Sequence, residues 1–476
     1  MKRQVSIGLA LLPILALIAA GAASIFIWKA GMFIPLIISI IVTVLVGVMS
    51  GYSWKELEEM MVSGVSKALP AIFILLVIGM IVGTWISSGV IPTMIYYGLS
   101  FIHPSFFVPA VAVVTGIVAI TLGSSFTSIA TIGLAFMVIG EGMGFSPGLI
   151  AGAVISGAFF GDKLSPLSDT TNIAPAMAET DLFSHVRHML WDTIPAFAIA
   201  VALYGLFGTR SVQGSVDTGN IDMILNGIQD TFIIHPLLLL LPVLTIFLMI
   251  KKLPALPTLL LVGIIGGVIS IVVQGESITS MVNTMTNGFH AESGVKAVDS
   301  LLNRGGLVSM LNTIGLLTIA TALGGLMEGT QIFQALVRPI VARIKTPSSL
   351  IATTIASTFL VAFASGAQFL AIILPTRTFI QTYKDMNIDT KNLSRSVEAA
   401  GTVGISLVPW GVPAVFAASM LGVSPEQFIP YIFFAFLVPL INIVYGITGW
   451  TIVKKEYPAR SFQQQQSAAV GGMGHE

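Results

Sequence analysis

The sequence predicts an all-α polytopic membrane protein with two inverted-topology repeats, each holding a re-entrant hairpin and a broken helix. Three observations predict it. Of the 476 residues, 55% are hydrophobic and only 9% are charged, and mean hydropathy is +0.93. Soluble domains carry roughly 25% charged residues. Apolar runs near the length of a membrane crossing, about 20 residues, recur from end to end. The turns that punctuate the first half recur in the same order in the second. The chain has no cysteine, so disulfide and thiol chemistry are excluded. Lys+Arg and Asp+Glu balance at 22 each, which gives no case for nucleic acid.

Residues 1–30 read as an extra transmembrane helix. Lys2 and Arg3 precede an apolar run over 5–27, and Trp28 and Lys29 form an interfacial anchor. The run resembles a signal peptide with a cleavage site near Ala20, but it leads directly into more spans. The first repeat covers 31–208. It opens with a span over 33–50, a polar amphipathic stretch over 54–67, and a span over 69–87. Runs over 106–120 and 128–139 flank the polar segment Thr121 to Thr127. Both are short for a crossing, so a re-entrant hairpin is expected, with two short tilted spans as the alternative. The run over 149–160 leads into a polar stretch around Pro166. A charged loop that runs to Asp192 and carries His185 and His188, expected to be solvated rather than to sense pH, precedes a span over 191–207.

A polar linker over 209–233 divides the chain. The second repeat, 234–453, has spans over 234–250 and 256–273, then a polar stretch over 274–304 and a span over 307–327. Runs over 351–363 and 369–379 flank a second tip at 364–368. A charged turn precedes the run over 397–407, which breaks at Pro409-Trp410-Gly411-Val412-Pro413, and a last span covers 428–453. The tail, 454–476, is polar and expected to be disordered and cytoplasmic.

The matches between halves pair Gly51 with Gly275, His103-Pro104-Ser105 with Thr346-Pro347-Ser348, and Ser124/Ser125 with Ser365/Gly366. They also pair Gly157 with Gly401, the Pro166 region with the Pro409 region, and Pro195 with Pro430. Inverted repeats place equivalent loops on opposite sides of the membrane. Loop charge agrees. Residues 89–103 carry no Lys or Arg, while 331–345 carry Arg338, Arg343 and Lys345. Residues 141–147 carry none, while 384–395 carry Lys384, Lys391 and Arg395. The positive-inside rule then puts both termini in the cytoplasm, with Lys29 and Arg304 as outside exceptions.

The densest polar stretch is Gly-Asp-Lys-Leu-Ser-Pro-Leu-Ser-Asp-Thr-Thr-Asn over 161–172. Charge at membrane depth is costly and by default marks an ion or substrate pathway. Proline and hydroxyls can break a helix and free carbonyls for a cation. A hard cation takes carboxylate, hydroxyl and carbonyl oxygens. Asp162 and Asp169 supply carboxylates, unranked. Ser165, Ser168, Thr170 and Thr171 supply hydroxyls, Asn172 an amide, and Pro166 frees a carbonyl. A carboxylate that must lose a proton before taking a metal ion is the simplest basis of cation–proton exchange. Alternatively, Asp162 and Lys163 form an ion pair at a helix end. Lys163 is expected to balance charge rather than to bind substrate. Ser124, Ser125, Thr127, Ser365, Gly366 and Gln368 form the tips, and Pro409 and Trp410 the second break. There, small residues either receive an anion at half-helix N-termini or pack helices closely. Arg377 either holds an anion, pairs with Glu398 as charge balance, or snorkels.

The segment over 161–172, followed by Ile173-Ala174-Pro175, resembles the signature of the NhaC family of Na⁺/H⁺ antiporters, within a wider ion-transporter superfamily. The resemblance implies Na⁺/H⁺ antiport in a bacterial inner membrane, with Na⁺ at Asp162 and Asp169. Na⁺ and H⁺ are then cargo, and no cofactor is expected. Some relatives resemble malate–lactate antiporters that couple these carboxylates to Na⁺ and H⁺. The absence of Lys or Arg at either tip favours plain cation exchange. By analogy with repeated transporters, the tips and breaks are expected in a mobile domain moving like an elevator against a scaffold, often dimeric, in membrane lipid. A channel or an intramembrane enzyme is the reading from a different class. The chain carries no Gly-x-Ser-x-Gly with a membrane histidine, no His-Glu-x-x-His and no P-loop. Hydrolysis and nucleotide-driven pumping by this chain alone therefore have no motif behind them.

Overall fold

The computed structural model describes residues 5–457 apart from 29, 102–103, 167, 212–217, 252, 296–297, 300–301 and 342–343. The expectations for Lys2, Arg3, Lys29, His103, Arg343 and residues 458–476 fall outside the described residues. All described elements are helical, and one isolated bridge joins Ile388 to Lys454. Five described helices are long and apolar enough to cross a membrane, or up to nine if each bent pair counts as one span.

The helices run longer than the apolar runs suggest, because amphipathic turns continue them. The polar stretch over 54–67 and the span after it form one 34-residue helix, Trp54–Ser87. Ser53 and Glu56 start it with a reciprocal capping box. Likewise His185, His188 and Asp192 lie on the 30-residue helix Leu182–Ser211, not in a solvated loop. The linker contains the helix Thr218–Thr231, whose Ile224 and Ile228 are buried. Residues 454–457 are ordered: Lys455 N donates to Asn387 O at 3.0 Å, and Asp389 N donates to Val453 O at 3.0 Å.

The two tips are helix–turn–helix units. Pro104–Leu122 meets Ser125–Gly142 across Gly123 and Ser124, and Pro347–Ser365 meets Gln368–Asp385 across Gly366 and Ala367. At about 1.5 Å per residue, the 19-residue Pro104–Leu122 and Pro347–Ser365 are each nearly as long as the bilayer core is thick. The broken helices are Pro147–Leu164 with Asp169–Met177, and Thr390–Leu407 with Val412–Leu421, the second bent by 45°.

Backbone geometry repeats along the chain. Residues with positive φ pair in order: Gly51 with Gly275, Gly89 with Gln331, Gly123 with Gly366, Gly144 with Asn387, and Glu179 with Gly422. The last three pairs share one offset of 243 residues (366 against 123, 387 against 144, 422 against 179). The segment 288–306 of the second half has no counterpart within Trp54–Ser87. This register pairs Ser124 and Ser125 with Ala367 and Gln368, two residues later than the sequence match to Ser365 and Gly366. In the same register Pro195 falls at Val438, next to Pro439 inside Phe433–Thr448 and eight residues beyond Pro430.

Two packing groups result. The hairpins, the broken helices, Leu182–Ser211 and Phe433–Thr448 contact one another; Phe33–Met49, Trp54–Ser87, Ala255–Gln274 and Leu311–Gly329 form the other group. Glycines let both groups pack backbone on backbone. A Cβ at Gly161 would lie 2.4 Å from Gly116 O, and one at Gly64 would lie 2.2 Å from Thr321 O. Small residues of this kind bring membrane helices together.

Candidate functional site

The close packing of Pro104–Leu122 on Pro147–Leu164 sets the site. It places the first tip against the C-terminal turn of the broken helix. Asp162 is buried there, and its Oδ2 accepts a 2.8 Å hydrogen bond from Ser125 Oγ. Ser165 Oγ donates to Ile120 O at 2.8 Å, tying the break to the hairpin. Ser124 caps the next helix, accepting from Thr127 N at 3.2 Å and from Thr127 Oγ1 at 3.1 Å.

Side chains then close the break itself. Thr171 Oγ1 donates to Asp162 O at 3.0 Å, and Asn172 Nδ2 donates to Pro166 O at 2.8 Å and Ser168 O at 2.7 Å. The carbonyl that Pro166 leaves without its helical donor is Asp162 O, four residues back, and Thr171 Oγ1 takes it, while Asn172 reaches back to the Pro166 carbonyl itself. Ser168 and Thr170 are buried, and their hydroxyls pair at 3.0 Å. Asp169 opens Asp169–Met177 and is exposed, as is Asn172. The two carboxylates that the sequence leaves unranked thus sit in different environments, Asp162 inside and Asp169 at an accessible surface.

The second tip and second break are joined in the same way. Gly366 O accepts from Val412 N at 2.8 Å, and Gln368 Nε2 donates to Thr402 O at 3.2 Å. Ser365 Oγ donates to Val361 O at 2.7 Å. Pro409 is half-buried. Trp410 donates from Nε1 to Phe363 O at 2.7 Å and packs edge-on against the Phe363 ring, so it braces the hairpin. The 243-residue register puts Ile405 at the position of Asp162, and the second break has no carboxylate of its own.

Lys163 does not pair with Asp162. Its Nζ lies 3.2 Å from Asp192 Oδ1, with both side chains wholly buried. Successive helix residues point about 100° apart, so Lys163 turns toward Leu182–Ser211 while Asp162 turns toward the hairpin. Asp192 also accepts from Thr193 Oγ1 at 3.0 Å and from Asn442 Nδ2. Asn442 Oδ1 in turn accepts from Arg395 Nε at 3.0 Å. Arg377 is exposed and Glu398 wholly buried, and no ion pair joins them among the described residues. Helix Gln368–Asp385 turns Arg377 outward, which rules out the charge balance expected between them. His185 and His188 are buried against Ser394 and Asn392, at 2.8 and 3.2 Å.

Sequence reasoning missed Asp192, Arg395 and Asn442. Hydropathy runs assigned the first two to loops. The signal was in the spacing: His185, His188 and Asp192 fall at i, i+3 and i+7, one face of a helix. Among the described residues no three carboxylate or imidazole side chains gather as a transition-metal site requires. The oxygens around Asp162 suit a hard monovalent cation.

The family model described as the Na⁺/H⁺ antiporter family matches residues 3–171 and 157–450. The chain is 38% identical to the Na⁺/H⁺ antiporter NhaC of Alkalihalophilus pseudofirmus over 458 residues, covering 96% of this chain and 98% of that one. It is 35% identical to the malate-2H⁺/Na⁺-lactate antiporter of Bacillus subtilis over 416 residues, 87% of this chain and 89% of that one. It is 33% identical to the arginine/ornithine antiporter ArcD of Halobacterium salinarum over 475 residues, 98% of this chain and 97% of that one.

Proposed function

The chain belongs to the Na⁺/H⁺ antiporter family, and on that premise we propose that it exchanges cytoplasmic Na⁺ for external H⁺ as a secondary active transporter. One observation carries the site: the Asp162 carboxylate is buried between hairpin tip and helix break, with Ser125 donating to one oxygen. A buried carboxylate among hydroxyls takes either a proton or a hard cation, and one displaces the other. Asp169, four residues from Ser165 and exposed, serves as the entry carboxylate.

The halves act as inverted repeats. The hairpins and broken helices move together as the transport domain, and the second packing group is a scaffold suited to a homodimer. The protein resides in a bacterial inner membrane with both termini cytoplasmic. Three ion pairs support that trace, since each joins residues it assigns to one side. Lys67–Glu328 at 2.6 Å and Lys384–Glu179 at 2.7 Å lie inside; Arg304–Glu141 at 3.0 Å lies outside. The outside exception Arg304 thereby has its partner.

A second reading, carboxylate-coupled antiport of malate and lactate, is favoured by the Bacillus subtilis relative. Purified protein in liposomes with an internal pH dye separates the two. Proton flux on adding Na⁺ alone, unaffected by lactate or malate, supports plain antiport; flux only with the carboxylates supports the second reading. Asp162→Asn is expected to abolish the flux, and Asp169→Asn to slow it with proton–sodium coupling intact. Wild-type flux in Asp162→Asn would remove Asp162 from the site.

A further inference from the structure

Glu398 lies in the bent helix Thr390–Leu407, three residues after Arg395 and one turn before Thr402. It is wholly buried, and neither carboxyl oxygen has a hydrogen-bond partner. Thr402 Oγ1, its neighbour, is buried and without a partner as well. The charges acting on Glu398 are those of Lys163 and Asp162 across the first break, with the Thr402 and Thr170 hydroxyls beside it but outside hydrogen-bond geometry. The cluster is therefore assembled from both halves. Asp162, Lys163 and Thr170 come from the first, Asp192 from Leu182–Ser211, and Arg395, Glu398 and Thr402 from the second.

Charge counting shows what the cluster lacks. In their ordinary ionic forms, Asp162, Asp192 and Glu398 carry three negative charges against the two positive charges of Lys163 and Arg395. Lys163 is committed to Asp192, and Arg395 reaches Asp192 through Asn442. The uncompensated charge is on the Asp162–Glu398 side. A buried charge without counter-charge or donors is among the costliest arrangements in a protein. One monovalent cation with a preference for oxygen would balance the cluster and satisfy the orphaned oxygens of Glu398 and Thr402 together.

We propose that Glu398 is the second carboxylate ligand of the transported alkali cation, contributed by the second half opposite Asp162, with the Thr402 hydroxyl beside it. The inference rests on the reading of Asp162 as a cation ligand. It adds that the site needs both halves, so that neither broken helix binds the ion alone. Sequence symmetry conceals it: the register pairs Glu398 with Ile155 and Asp162 with Ile405, so each half supplies a carboxylate where the other has isoleucine.

The test is equilibrium binding of ²²Na⁺ to the purified full-length protein at one fixed pH, with choline as the balancing cation. Glu398→Gln keeps the shape and removes the charge. It is expected to weaken Na⁺ binding by roughly tenfold or more, with Glu398→Asp recovering part of the loss. Asp162→Asn is measured beside it. Weak binding in Asp162→Asn with wild-type binding in Glu398→Gln overturns the role of Glu398 and leaves that of Asp162. The reverse result overturns the role of Asp162 and leaves Glu398 as the ligand. If Glu398→Gln does not stay monodisperse, Glu398→Asp and Thr402→Val decide, since wild-type affinity in both overturns the proposal.

Discussion

Asp192→Asn tests the buried charge network most directly. Lys163 Nζ and Asp192 lie 3.2 Å apart with no exposure on either side. Their other partners are unequal. Asp192 also accepts from Thr193 and Asn442, and Asn442 connects it to Arg395. Lys163 Nζ, among the described residues, has hydrogen bonds to Asp192 alone. Removing the aspartate charge therefore strands an ammonium in the interior. Breaking a buried pair in this way costs about 3–5 kcal/mol. Lys163→Met leaves Asp192 with two donors and a guanidinium behind one of them, so it loses only a charge-assisted hydrogen bond, about 1.5–3 kcal/mol. The expected order of stability is wild type, then Lys163→Met, then Asp192→Asn. The double variant Lys163→Met/Asp192→Leu should lose less than the sum of its single changes, because it strands no ammonium. The assay is the temperature at which half the protein stays monodisperse by size exclusion after heating in one detergent. If the proposed site holds, Asp192→Asn should also weaken Na⁺ binding, because the ammonium whose charge acts on Glu398 then competes with the cation there. If Lys163→Met is as unstable as Asp192→Asn or worse, the idea that Asn442 and Arg395 share the aspartate charge is wrong.

Two further substitutions read the geometry around the tip. Ser125→Ala removes the 2.8 Å hydrogen bond to Asp162 and should shift the apparent affinity for Na⁺ in proteoliposome flux by about 1.5–3 kcal/mol without unfolding the protein; unchanged affinity would mean the tip does not touch the site. Gly161→Ala and Gly404→Ala fill equivalent positions in the 243-residue register. A Cβ at Gly161 meets Gly116 O at 2.4 Å and Ile120 N at 2.5 Å, whereas one at Gly404 meets the Phe359 ring at 2.6 Å. Backbone cannot step aside as a ring can. Gly161→Ala should therefore cost more than the roughly 1–3 kcal/mol typical of overpacking, and Gly404→Ala less; thermal stability in detergent that ranks them the other way would contradict the packing argument.

Much of this arrangement was legible in the residues because a membrane simplifies the physics. Backbone polar groups in lipid must be satisfied within helices or closed barrels, and apolar runs near 20 residues long select helices. The stretch over 161–172 stands out for the same reason. What was not legible was where the helices end. Hydropathy stops at the last apolar residue, but Leu182–Ser211 and Thr390–Leu407 continue into polar sequence and bury it against their neighbours. That is how Asp192, His185, His188 and Arg395 read as loop residues while lying in the core. Asp162 and Asp169 could not be ranked, because the difference between them depends on a contact with Ser125, 37 residues away.

The recurrence of turns along the chain was only half legible in the sequence. Positive φ marks five paired turns, but glycine occupies both members in only two pairs, at Gly51/Gly275 and Gly123/Gly366. At Gln331, Asn387 and Glu179 another residue tolerates the left-handed backbone, so composition conceals the equivalence. The positive-φ turns recur while the side chains around them differ. The first break carries Asp162, Lys163 and a run of hydroxyls, and the second carries Val408, Trp410 and prolines, with the nearest charges about two to three turns back at Glu398 and Arg395. On the proposed reading, divergence of this kind suits a single cation site between the two breaks. Two identical carboxylate clusters there would double an already costly buried charge. On the same proposal, one carboxylate from each half, with the equivalent positions apolar, serves a single monovalent ion.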